Sequence, residues 1–211
     1  MVSCVQRAEV RAETLRQFHA LGIHPHVLTD PCTDPTPAAV LRNAYVATAP
    51  HADSPTGVLF VEDDIDLNAA TFERFVLMAV DAARITTLCL LRHRLLPDWV
   101  TQDAESLPAS LVELRDYDVR FGFHGTMCVY LPQVVVERIR ANPSEFMRSD
   151  GLPIQGADGF DFWLKMNARQ FGGMFAAIPN PVNHRPGYSM WGNQERWQDF
   201  QSTTFRIGVD D

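Results

Sequence analysis

No stretch of this 211-residue chain approaches the run of about 18 apolar residues that a membrane-spanning helix requires. Cysteine is scarce: Cys4, Cys32, Cys89 and Cys128 are scattered and form no C-x-x-C pair. A chain of this length buries a core without disulfide staples, so unbridged thiols in a reducing compartment are expected. Basic charge is also short. Lys and Arg total 18 against 26 Asp and Glu, a net charge of −8, which excludes a protein-wide basic stripe for nucleic acid. A local basic groove stays compatible with that balance. The opening "MVSCVQRAEVRAE" has no long apolar run after its charges, so no secretory signal is expected and the cytoplasm is the expected location. Internal repeats and low-complexity segments are absent as well.

What remains is an ordinary globular composition, and its length suits one domain. "VSCV" reads as a first strand. "AEVRAETLRQFHALG" reads as a helix with Leu15, Phe18 and Leu21 on one face and Gly22 at its stop. "HPHVLT" reads as a strand. "AAVLRNAYVATA" reads as a helix opened by Pro37, and "GVLFVE" as a buried central strand. Asn68 is a good N-cap for the next helix, whose core stripe is Phe72, Phe75, Val76, Ala79 and Val80. "TTLCLL" follows as a strand. Alternating strands and helices predict an α/β sheet, largely parallel. Residues 92–119 are mixed and carry no clear pattern. Beyond them come a strand in "FGFHGTMCVYLP", a helix in "QVVVERIRA" and another in "GADGFDFWLKMNARQFGG". A strand "MFAAIP" and a polar, aromatic loop "NPVNHRPGYSMWGNQ" complete the pattern.

The chemistry concentrates in "GVLFVEDDIDLN". Four apolar residues deliver Glu62, Asp63 and Asp64, and Asp66 follows. In an open α/β sheet, ligands bind beyond the carboxyl ends of the strands. Adjacent carboxylates resist ionising together, and a divalent cation relieves that penalty. Oxygen ligands suit Mg2+ or Mn2+, which keep positions open for phosphate oxygens. The competing reading has Asp64 and Asp66 capping the helix after Asn68, with Glu62 merely exposed.

"VLFVEDDI" resembles the DxD-type motif of GT-A glycosyltransferases, most closely the family 25-like group and small phage or bacterial relatives. That resemblance implies a single GT-A domain, a Rossmann-like mixed and mainly parallel sheet flanked by helices. Residues 1–91 would form its nucleotide-binding half and 92–211 its acceptor and catalytic half. It implies a metal-dependent transferase taking a sugar from a nucleoside-diphosphate sugar, UDP-sugar expected, to a hydroxyl acceptor, a glycan or lipopolysaccharide. Inversion is the favoured stereochemistry. Asp64 would hold manganese (or magnesium), with Asp66 replacing or assisting it, and Glu62 and Asp63 would meet the donor.

Arg7 falls in the loop that meets the nucleotide in such enzymes, and Asn43, beside Arg42, lies where relatives touch the base. "FGFHGTMCVYLPQVVVERI" resembles their G-x-x-x-Y-L strand, with His124, Gly125 and Thr126 near the acceptor; His124 reads equally as a strand-end histidine. "GADGFDFWLKMNARQFGGMFAAIPNPVNHRPGYSMWG" resembles their acid-bearing helix and late loop. There Asp161 or Asp158 would be the base that takes the acceptor's proton, while one of the two would cap the helix. Spaced three apart, both could share one helical face. His184 would be a further metal ligand or serve only the turn, and Arg185 and Ser189 would reach the diphosphate. Tyr188, Trp191 and Trp197 crowd the same tail, where aromatics stack on sugars or seal a core edge.

Small phage-like relatives raise an alternative acceptor, hydroxymethylated bases in DNA. A response-regulator receiver also carries "VEDD" after a strand, but its acids end the first strand. It also needs an aspartate before a later "LP", and "LLRHRLLP" has none. Nucleotidyltransferases, metal phosphohydrolases and a non-catalytic sugar-nucleotide-binding protein are the other readings.

Overall fold

The computed structural model describes residues 1–31, 36–90, 108–116, 119–120, 123 and 126–185. The sequence-predicted residues Cys32, His124, Gly125, Tyr188, Ser189, Trp191 and Trp197 lie outside that set.

The central sheet has five strands. They are β3 (Val58–Val61), β5 (Ile85–Thr87), β6 (Ser110–Glu113), β7 (Cys128–Leu131) and β8 (Met174–Ile178), in the order β3-β7-β5-β8-β6. A two-stranded parallel sheet, β1 (Val2–Cys4) with β2 (Leu28–Asp30), lies alongside, and one parallel bridge from Val2 to Glu62 links it to the end of β3. A third small sheet pairs β4 (Ile65–Leu67) antiparallel with β9 (Val182–His184).

The expected largely parallel pairing is not what the described sheet has. Only β5 and β8 pair in parallel in the five-stranded sheet; β3–β7, β5–β7 and β6–β8 are antiparallel. The cause is insertion. β7 enters between β3 and β5, and β6 closes the far edge, each reversed against its neighbours. Followed through these pairings and the Val2–Glu62 bridge, β1, β2, β3, β5 and β8 all run one way. Their carboxyl ends therefore share one edge, and the amino end of β7 joins them there.

Helices cover both faces. On one face α2 (Pro37–Thr48), α4 (Gln133–Ala141) and α5 (Phe160–Asn167) contribute Leu41, Ala44, Val135, Val136, Ile139, Phe160, Trp163 and Leu164 to a core with Phe60, Val129, Leu131 and Ile178. On the other, α1 (Ala8–Ala20) and α3 (Ala69–Ala82) contribute Phe18, Phe72, Phe75 and Ala79 to a core with Val61, Ile65, Leu88, Cys128, Ala177 and Val182. The period-two alternation of β7 and β8 splits their side chains between the two layers.

The caps explain the helix starts. The Asn68 side chain accepts from the Ala70 N–H, and that of Thr36 from the Ala39 N–H with Pro37 at the first turn. The helix expected over "GADGFDFWLKMNARQFGG" is shorter. It starts at Phe160, tightens to a 3₁₀ turn at Ala168–Phe171 and stops at Gly172 and Gly173, both at positive φ. Neither Asp158 nor Asp161 supplies its cap: Gly159 is the N-cap residue, with no side-chain cap bond. Asp158 precedes the helix, so the shared-face spacing does not apply to it. Among the described residues, no helix is long and apolar enough to cross a membrane. Cys4, Cys89 and Cys128 are buried thiols.

Candidate functional site at the carboxyl edge of the sheet

β3 ends by delivering its acids to the shared edge, and Asp63 and Asp64 are both buried there. The chain then leaves the main sheet and starts β4. Its antiparallel register sets Ile65 opposite His184, and the Arg185 N–H donates to the Asp64 carbonyl at 2.6 Å. That short ladder carries His184 and Arg185 to the acids across 120 residues of sequence. From the other side, the Val2–Glu62 bridge lays the end of β1 beside Asp63 and presents Arg7 after a single 3₁₀ turn.

Each acid has a different set of partners. Asp63 takes the Ser3 hydroxyl on Oδ2 at 2.5 Å and Arg7 Nη1 on Oδ1 at 3.2 Å. Asp64 Oδ2 accepts from Arg7 Nη2 at 2.6 Å and from His184 Nε2 at 2.9 Å. Glu62 Oε1 accepts from the Thr126 hydroxyl at 3.1 Å. Asp66 points elsewhere: its Oδ1 accepts from Arg185 Nε at 2.8 Å and Gln17 Nε2 at 3.0 Å. Like charges thus sit together because Arg7 and His184 already stand among them, while Arg185 pairs with Asp66 to one side.

At this centre Asp64 Oδ1 and Arg7 Nε are buried and have no hydrogen-bond partner among the described residues. Buried polar atoms are normally satisfied, so these two are the atoms here with capacity for a further contact.

The titration of the acids follows from burial and these contacts. Burial alone would raise the Asp64 carboxyl, but His184 and Arg7 together outweigh it and hold it at about 2. Burial, then the charge of Asp64, pushes Glu62 up to about 7 against the pull of His184, Arg7 and Thr126. Burial also raises Asp63, opposed by Arg7 and Ser3. His184 is raised: its bond to Asp64 overcomes the burial that would lower it. Burial pushes the Cys89 and Cys128 thiols up, so they are inert neighbours.

The structure therefore brings together Arg7, Glu62, Asp63, Asp64, Thr126 and His184. It separates Asp66 and Arg185 from that centre. All three guanidinium nitrogens of Arg185 are engaged inside the protein: Nε with Asp66, Nη2 with the Ile65 carbonyl at 2.6 Å, and Nη1 with the Val10 carbonyl at 3.2 Å. Asn43 is turned inward at the end of β2, where its Nδ2 donates to Asp30 Oδ2 at 2.5 Å and its Oδ1 accepts from Arg42. Asp161 is half-buried with Lys165 Nζ at 3.9 Å, whereas Asp158 is exposed. Phe160 packs on Phe60 at 5.1 Å between ring centroids, which sets the start of α5 against β3 two residues before Glu62.

Sequence reasoning missed Ser3, Thr14, Gln17 and Asp30. Thr14 is fully buried and its hydroxyl donates to the Asp63 carbonyl at 2.6 Å. Val10, Thr14 and Gln17 share one face of α1 by their i, i+4, i+7 spacing. The polar pair Thr14 and Gln17 on that face was the available signal that α1 meets the acids.

A divalent cation has been expected here, so the donor set matters. Among the described residues, no group of three or more His, Cys, Asp and Glu side chains is placed to hold a metal ion. Asp64 and His184 do form a two-residue set with an open carboxylate oxygen. Such a pair suits an ion that takes its remaining ligands from a phosphate-bearing substrate and water. Compared with family models, characterised proteins and solved structures, the chain matches none, so its residues and geometry alone support a reading of this site.

Proposed function

We propose that this chain is a metal-dependent glycosyltransferase of GT-A type, moving a sugar from a nucleoside-diphosphate sugar to a hydroxyl acceptor. UDP is the expected nucleotide and a glycan or lipopolysaccharide the expected acceptor. One observation carries the reading: at the carboxyl edge of the sheet, Asp64 keeps a buried carboxylate oxygen with no partner among the described residues, beside His184 and Arg7. The common direction of β1, β2, β3, β5 and β8 supports it further, since ligand sites of open α/β sheets lie at that edge.

Asp64 and His184 would hold Mn2+ or Mg2+, which when bound neutralises charge on the leaving diphosphate. Arg7 offers a guanidinium fork to the same oxygens. Glu62 and Asp63 line the donor side, and Thr126 orients Glu62. Asp161 is the better base: it is half-buried and early in α5, whereas Asp158 is exposed and precedes the helix. Asp66 and Arg185 position the site by pinning β4 to α1 and β9.

The test is turnover of sugar nucleotides by purified protein with Mn2+, released nucleoside diphosphate being measured. Asp64→Asn should lose turnover by at least about a hundredfold while its circular dichroism stays that of the parent. Near-full turnover in that variant would remove Asp64 from the chemistry.

A further inference from the structure

Arg7 stands in this site and Arg185 beside it, and the two are held differently. Arg185 has an acceptor on Nε, Nη1 and Nη2 and is locked. Arg7 spends Nη1 on Asp63 and Nη2 on Asp64, while its buried Nε has no acceptor among the described residues. It is held at one end only. Its Nη2 also sits 2.6 Å from Asp64 Oδ2, the oxygen that His184 shares. A dication held by Asp64 and His184 would meet a guanidinium beside it, in a buried site where charges are poorly screened.

We propose that Arg7 is a resident counter-ion that a divalent cation displaces from Asp64, and that the freed guanidinium then pairs with the diphosphate. The inference rests on the transferase reading and adds regulation to it: metal and nucleotide bind as a coupled pair. Metal alone must work against Arg7 and binds weakly. A diphosphate gives the planar fork two oxygens in place of the carboxylates it leaves. The coupling is reciprocal, so the metal tightens the nucleotide by the same factor. The site thereby avoids holding metal without substrate.

The experiment is a Mn2+ titration followed by electron paramagnetic resonance, on the full chain, alone and with UDP, GDP, ADP or CDP, corrected for metal bound by free nucleotide. The parent should bind Mn2+ weakly alone and about tenfold or more tightly with its nucleotide. Arg7→Gln should bind Mn2+ several-fold more tightly alone and gain less from nucleotide. Arg7→Lys keeps the charge but not the fork, so it should match the parent with Mn2+ alone and lose most of the coupling. It also serves if Arg7→Gln fails to fold. Tighter Mn2+ binding absent from Arg7→Gln, or full coupling kept by Arg7→Lys, would overturn the role of Arg7 and leave the transferase reading standing. No Mn2+ binding by the parent with any nucleotide would overturn both.

Discussion

Replacing Glu62 by glutamine should stabilise the metal-free protein at alkaline pH and do far less in mild acid. Glu62 lies beside Asp64, and burial with that neighbouring charge lifts its carboxyl from 4.5 to about 7. A group whose folded pKa is raised binds its proton more tightly in the native than in the unfolded chain. Ionising Glu62 therefore costs native stability, with the cost absent below about pH 4.5 and complete above about pH 7. At 1.36 kcal/mol per pH unit, that cost is about 3 kcal/mol at pH 8. Glutamine keeps an acceptor for the Thr126 hydroxyl, which donates to Glu62 Oε1 at 3.1 Å, and carries no charge. The assay is urea unfolding of parent and variant at pH 5 and pH 8 with chelator present. Glu62→Gln should be more stable by about 2–3 kcal/mol at pH 8 and by less than about 1 kcal/mol at pH 5. Equal stability at both pH values, or a less stable variant at pH 8, would refute the account of Glu62. Asp64 sets the acid limb with the opposite sign: lowered from 3.8 to about 2, it stabilises above about pH 4 and that gain is lost as pH falls toward 2.

Other consequences are structural. Arg185→Ala should lower stability by about 3 kcal/mol, because two backbone carbonyls and Asp66 lose a charged donor; the exposed share of the Asp66 pair contributes little. Thermal unfolding should then shift down by about 6–12 °C, whereas an unchanged midpoint would mean the guanidinium is not a clamp. Gly57→Ala should cost at least about 2 kcal/mol, because φ is +82° and the added Cβ would stand 2.3 Å from the Leu131 carbonyl oxygen. A melting temperature within a degree of the parent would contradict the close approach of that turn to β7.

Much of this fold was legible because local signals agreed. Asn68 capping α3, Pro37 opening α2 and the apolar run of β3 each stated their element within a few residues. Pairing was not legible. The reversal of β7 between β3 and β5 depends on contacts across distant sequence, and a four-residue buried run such as Cys128–Leu131 reads the same in either direction. "NPVNHRPGYSMWGNQ" read as a loop because β9 is three residues long and its partner β4 lies inside an acidic segment. In the site, Asp64 and His184 were legible by residue type, and their contact holds. Asp66 and Arg185 look just as functional in sequence, yet the alternation of β4 aims Asp66 away from Asp64, and Arg185 follows it. Ser3 was silent because a single hydroxyl gives no pattern. The expected face of α1 holds: Phe18 is buried, and Leu15 and Leu21 are partly buried against the same core.

The central claim, that these acids and His184 receive a cation with a nucleoside diphosphate, is tested most directly by thermal unfolding. Purified protein would be melted with and without Mn2+ across nucleoside diphosphates and sugar nucleotides. At saturating ligand, about 100-fold above its dissociation constant, binding adds about 2.7 kcal/mol, a rise of roughly 5–11 °C. The account predicts such a rise with one nucleotide class, UDP expected, only when Mn2+ is present and not in Asp64→Asn. No rise with any nucleotide, with or without metal, would contradict it.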